Sequence, residues 1–323
     1  MERKVETTEA DLKKRALSEA GITYSASAAL PVILSLVLSI ILMSISGGKE
    51  QNWYAKQDWY KYLCYLIPQI CFAASAFFFF RRSGVSFKGA FGGCKWYYFP
   101  IAIALQFGLL FSLSELNEYF VKLLELTGYR RMESTLPTLS GWNLLPAILV
   151  IAVLPAVFEE TIFRGILSRQ MHESGWGILS VVLISGGMFS LFHHNPEQTI
   201  YQFLCGGCLT LVALRAGSAL PTIVAHFLNN ALILILSAVN APKYGENFSM
   251  SQTMPAGGYA ALCVCSAICL LGALAFLIFF CGEKGEKKGG VVHGKAFFFA
   301  ASVGFALCGI QWIITLITGF VAA

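Results

Sequence analysis

Nine apolar runs of about 20 residues recur along the whole chain, and they leave few folds open. They lie at about 22–46, 59–80, 96–120, 142–168, 176–193, 198–214, 219–239, 256–281 and 296–321. A hydrocarbon layer about 30 Å thick is crossed by roughly 20 helical residues. Lipid satisfies no backbone polar group, so only helices and closed barrels span it. The runs lack the period-two alternation of a barrel strand. The chain is therefore expected to be all-α, a polytopic membrane helical bundle of about eight to nine transmembrane helices. Composition agrees: 56% of residues are apolar and 13% charged, against about 25% charged in soluble domains.

Residues 1–21 are polar and carry Arg3, Lys4, Lys13, Lys14 and Arg15. The run behind them is long and shows no small-residue cleavage pattern, so it reads as a signal anchor. Residues 1–21 are predicted to be a cytoplasmic segment, and 22–323 a single integral-membrane domain. With the N-terminus inside, alternate polar stretches hold 16 Lys and Arg on the cytoplasmic side and 7 outside. Basic residues favour the cytoplasmic side, so this orientation is expected, and the membrane is the plasma membrane if the cell is bacterial. The net charge of +5 is spread over these loops and is no nucleic-acid signal. Most of the ten cysteines fall inside apolar runs, where they read as free buried thiols. Cys205 and Cys208 bracket two glycines in such a run and carry no redox or metal reading.

Three polar clusters interrupt the apolar runs. The first is Val157–Gly165, V-F-E-E-T-I-F-R-G, with Glu159, Glu160 and Arg164. The second is Phe189-x-x-x-His193, followed by His194. The third is His226-x-x-x-Asn230, with Asn229 between. A charge at the centre of a membrane helix costs roughly 3 kcal/mol, and such groups are functional by default. Residues four apart share a helix face. Glu160 and Arg164 are thus expected to pair, and His226 and Asn230 to form a two-donor ledge. Glu159 is turned about 100° away from Glu160 and is left free. Gly175-Trp176-Gly177 reads as the turn of a helical hairpin. Glu159 lies 17 residues before Trp176 and His193 17 residues after it, which puts the two at one depth. A carboxylate, imidazoles and an amide in a shielded site suit hydrolysis by activated water. His172 and His293 sit in polar loops and read as solvated.

E-E-x-x-x-R, F-x-x-x-H and H-x-x-x-N, in this order on consecutive apolar segments, resemble the CAAX-protease and bacteriocin-processing (CPBP, Abi or Rce1-type) intramembrane proteases. Arg215–Pro221, R-A-G-S-A-L-P, resembles that family's approach to its last motif. The resemblance covers a catalytic core of about 142–240. It implies an intramembrane endopeptidase acting on a membrane-associated peptide or protein, prenylated CAAX-type or bacteriocin-like. Glu159 would activate water with His193, and His226 and Asn230 would form the oxyanion hole. Phe189 would pack beside the site, while Glu160 and Arg164 would hold the site or a substrate group. The family has been described both as a metalloprotease and as glutamate-dependent without metal. No cofactor is assigned; the alternative is Zn, held by Glu159, His193 and His226. The expected partners are the substrate and the lipid bilayer, with no nucleic acid. A second reading is a non-catalytic immunity or scaffold membrane protein, or a proton-coupled transporter. The absence of an internal repeat weighs against a transporter.

Overall fold

Long apolar sequence with few breakers has one low-energy answer in lipid, and the computed structural model follows it. It describes residues 9–45, 53–131, 136–245, 248–282 and 293–321, and every ordered span among them is helical. In chain order the main helices are α1 (Glu9–Ser44), α2 (Asp58–Ser83), α3 (Tyr98–Leu126), α4 (Gly141–Glu173) and α5 (Ile178–Phe192). They continue as α6 (Pro196–Ala216), α7 (Leu220–Tyr244), α8 (Ala256–Phe280) and α9 (Gly294–Val321). All but α5 are long and apolar enough to cross a membrane. The chain is an integral, multi-pass, all-α membrane protein.

Three expected runs take a different form. The polar residues from Glu9 onward are not a separate tail, because α1 already begins there and buries Leu17 and Ala20. The run at 96–120 is broken at Leu113, where Glu115 and Glu118 enter the sequence. Its second piece is amphipathic: Glu118 takes a bidentate pair from Arg131, and Glu115 accepts from the Tyr259 hydroxyl. The fifth run makes only the 15 residues of α5, about 22 Å at 1.5 Å per residue.

Helix pairing nevertheless shows that α5 reverses the chain like its neighbours. Across α1 and α9, Gly21 meets Phe297 and Ala301, and Gly304 meets Tyr24 and Ser25, so the first and last helices are parallel. Across α3 and α8, Tyr97 stacks on Phe276 while Glu115 reaches Tyr259, so those two are antiparallel. Both relations require that α5 reverses the chain, so that the nine main helices among the described residues alternate in direction. The α5–α6 hairpin is tight because glycine removes side chains at the crossing. A Cβ on Gly186 would stand 2.9 Å from the Phe203 carbonyl, and one on Gly206 would stand 2.9 Å from the Phe189 Cβ. Ser168, Ser185 and Thr210 join α4, α5 and α6 through hydroxyls about 3.0 Å apart at the two closer contacts. Buried hydroxyl pairs of this kind glue helices where lipid offers no partner.

Two apolar clusters flank this centre. One joins α1, α2, α4, α5 and α9 around Phe79, Phe163, Trp176 and Phe297. The other joins α3, α6, α7 and α8 around Leu105, Leu109, Val212 and Leu277. Side chains such as Ile40, Phe78, Leu271 and Ile310 point outward, as lipid-facing residues do.

The nine passes sort the described basic residues to two ends. Ten Lys and Arg lie at the end holding Arg15, Arg82 and Arg169, and six at the end holding Lys61 and Arg131. Lys284, Lys287 and Lys288 lie outside the described residues. Membrane-impermeant maleimide should therefore label Lys56→Cys in intact cells and label Lys95→Cys only after permeabilisation, relative to the wild-type background. Labelling of Lys95→Cys from outside would invert the orientation.

Candidate active site

The local course of α4 builds one wall of the site. Pro155 has no N–H, so the Ile151 carbonyl loses its usual donor four residues on. The backbone on either side widens into π-helix, at Ile148–Val153 and Thr161–Ser168. The Leu154 N–H accordingly reaches five residues back, to the Leu149 carbonyl. Insertions of this kind are frequent at functional sites. Glu159 and Glu160 close the short α-helical stretch between the two π segments. The stretch turns Glu160 inward to full burial and leaves Glu159 partly accessible.

Glu160 stands at the centre of a buried ionic network. Arg164 Nη1 donates to its Oε1 at 2.7 Å, and both side chains are 0% exposed. This is the i,i+4 pair expected from the spacing. His226 Nδ1 approaches the same oxygen at 2.8 Å, a link that spacing within one helix does not reveal. Arg164 Nη2 donates to the Gly206 carbonyl at 2.9 Å, and its guanidinium lies 4.5 Å above the Phe189 ring. The network thus ties α4 to α6 and α7, with Phe189 of α5 as a lid on the charge. Glu160 and Arg164 hold the architecture; neither lines the cavity.

A cavity of about 230 Å³ opens beside this network. Glu159, Phe189, His193, His226 and Asn230 all line it, together with Tyr65, Gln69, Gln106, Tyr201 and Asn229. The equal depth expected for Glu159 and His193 is met, since both reach one space from opposite arms of the α4–α5 hairpin. His193 caps α5, and its Nδ1 is 2.8 Å from the Phe189 carbonyl. A carbonyl only accepts, so Nδ1 carries the proton and Nε2 is left as an acceptor. With His226 Nδ1 donating to Glu160, its Nε2 is the nitrogen left for the cavity. Asn230 Nδ2 donates to the Ile151 carbonyl at 3.3 Å. That is the carbonyl which Pro155 deprives of a backbone donor. His194 adopts φ 51° and turns the chain out of α5, stacking near Phe192 and not lining the cavity. His172 and His293 are exposed.

The cavity lies toward the end of the bundle that holds Lys61. Tyr65 and Gln202 line it from the first turns of α2 and α6 at that end, and Leu136 from the segment before α4. Toward the other end it is closed by the Glu160–Arg164 network and by Phe163, Ile166, Leu167 and Met171 beneath it. The proposed zinc ligands do not fit a metal site. No group of three or more His, Cys, Asp or Glu side chains converges in that way among the described residues. All ten cysteines are free, and Cys205 contributes only a thiol edge to the cavity.

Sequence reasoning missed Gln69 and Gln106. Each is an amide inside an apolar run, a costly placement that marked them out as surely as it did the carboxylates. The network leads to a direct expectation. Removing one member of a buried charge cluster strands the others and costs about 3–5 kcal/mol. Glu160→Gln and Arg164→Gln should each lower thermal stability sharply, and the double variant should cost clearly less than the sum. Strict additivity of the melting shifts would show that the two do not act as a pair.

Comparison with known proteins bears on this segment. No curated protein and no solved structure matches the chain. Residues 141–232 match the family model described as type II CAAX prenyl endopeptidase Rce1-like. The match begins with α4 and ends just past Asn230, so it contains the three motifs and the hairpin that carries them. Over that segment the chain is similar to the type II CAAX prenyl endopeptidases of the Rce1-like family.

Proposed function

We propose that this protein is an intramembrane endopeptidase that cleaves a membrane-associated peptide by glutamate-activated water. The observation that carries the reading is the convergence of Glu159, His193, His226 and Asn230, from the three helices α4, α5 and α7, on one cavity. A water in the cavity would donate to Glu159 and to His193 Nε2. Glu159 takes its proton as the oxygen attacks the scissile carbonyl. Negative charge then develops on the former carbonyl oxygen. His226 Nε2–H and the second N–H of Asn230 stabilise it, typically the largest single contribution to such catalysis. Glu159 finally returns the proton to the leaving amine, so charge and atoms balance with no metal in the sequence of steps. Glu160 keeps the His226 ring in place. The family's description supports a prenylated CAAX-type substrate, and a bacteriocin-like peptide has the same membrane-associated chemistry.

Cleavage of a membrane-bound reporter peptide in reconstituted vesicles tests this reading. Glu159→Gln keeps size and removes proton affinity, so turnover should vanish while the fold and substrate binding persist. His193→Ala should be nearly as severe. Asn230→Ala should slow the reaction about 100- to 1,000-fold, the range for one oxyanion donor. His194→Ala should be mild, because His194 does not line the cavity. Wild-type cleavage by Glu159→Gln, at equal protein levels, would remove the protease mechanism and favour a scaffold or transport role.

The same assay addresses the metal. Because the three side chains share the cavity without forming a group that could hold a metal, cleavage should survive dialysis against strong chelators. Loss of activity on chelation, restored by stoichiometric zinc, would overturn the metal-free steps.

A further inference from the structure

An amide chain runs through the wall of the cavity from a residue that lies outside the matched segment. Gln106 of α3, 5% exposed, donates from Nε2 to Asn229 Oδ1 at 2.9 Å. Asn229 Nδ2 donates to Asn230 Oδ1 at 3.0 Å. Asn230 Nδ2 donates to the Ile151 carbonyl at 3.3 Å. The Tyr201 hydroxyl reaches the same Asn229 oxygen at 3.4 Å. The direction of this chain is determined from its far end. The Ile151 carbonyl can only accept, so Asn230 must turn its NH₂ toward it. Asn230 then offers its oxygen to Asn229, which must donate. Asn229 in turn offers its oxygen to Gln106, which must donate as well. Each amide has two orientations, and every link agrees on one.

We propose that Gln106 is a positioning residue for the hydrolysis, acting through Asn229 to hold the Asn230 amide with its second N–H toward the cavity. The inference rests on Asn230 serving as an oxyanion donor. An Asn230 amide turned over would present a carbonyl oxygen to the developing negative charge, repelling it where an N–H would bind it. The Ile151 carbonyl opposes that rotation from one end of the chain, since a turned amide would set oxygen against oxygen. Gln106 and Tyr201 both place a donor against the Asn229 oxygen and so oppose the reversed arrangement. The device costs little structurally, because amides in lipid need partners in any case. Its effect is on the transition state, where donor geometry must be right within tenths of an ångström.

The test compares kcat and KM for reporter cleavage in wild type, Gln106→Leu, Asn230→Ala and the double variant. Gln106→Leu should lower kcat about tenfold and leave KM within about twofold. In the Asn230→Ala background the same substitution should cost less than about twofold, since the group it positions is gone. An equal loss in both backgrounds would show that Gln106 merely supports the bundle, and would overturn the proposal. Unchanged kcat in Gln106→Leu, with Asn230→Ala strongly impaired, would overturn it while leaving the protease reading intact. A harmless Asn230→Ala would remove the oxyanion role and the positioning role together. If Gln106→Leu fails to fold, Gln106→Met, which keeps the length of the side chain, is judged by the same criteria.

Discussion

A single carboxylate oxygen, Glu160 Oε1, holds the catalytic segment together. It accepts from Arg164 on its own helix and from His226 on α7, while Arg164 reaches on to α6. In water such a cluster would be worth little, since both solvation and screening compete with it. In a desolvated helix bundle the alternative is an unpaired buried charge, so the three groups are bound to one another by necessity. Phe189 adds a ring face over the guanidinium and sits 4.6 Å from the His193 ring. Displacing any one of these groups therefore moves both histidines of the site. In the proposed mechanism architecture and chemistry share one set of contacts, with Glu160 in the buried network and Glu159 at the cavity.

The helical runs were legible because lipid enforces a simple rule: apolar length becomes a helix. The three polar clusters were legible for the same reason, since ionisable groups in such runs stand out against their background. Adjacent Glu159 and Glu160 were separable by helical geometry alone, and the structure buries one and exposes the other to the cavity. What periodicity did not reveal is anything that depends on which helices touch. The His226–Glu160 contact joins residues 66 apart. The Gln106–Asn229 contact joins residues 123 apart. Nor did a 3.6-residue period expose the π segments, because they shift the register only within the helix that contains Pro155. Nor does the sequence say whether Glu159, His193 and His226, the alternative zinc set, come close enough to hold a metal; among the described residues no such group forms.

Pro155 connects these levels. It removes one backbone donor, the helix widens around the gap, and a carbonyl is left over. Asn230 takes that carbonyl, so a defect in α4 becomes the anchor of a side chain on α7. Helix breakers are tolerated in membranes where neighbours re-satisfy the freed group. Here the neighbour that does so is a member of the site itself.

The parallel pairing of α1 with α9 governs how the protein is assembled. Gly21 and Gly304 allow the first and last helices to interlock, with Ser25 bonded to the Ala300 carbonyl and to the Gly304 N–H. Chains grow at about 5–20 residues per second, so α1 waits on the order of 15 to 60 seconds for a partner 275 residues downstream. Until then Gly21 and Ser25 lack their α9 partners, while Tyr24 already has Phe163 and Phe192 to pack on. The α4–α7 centre is complete in the growing chain well before that closure. The α1–α9 seam thus closes only after the α4–α7 centre is in place.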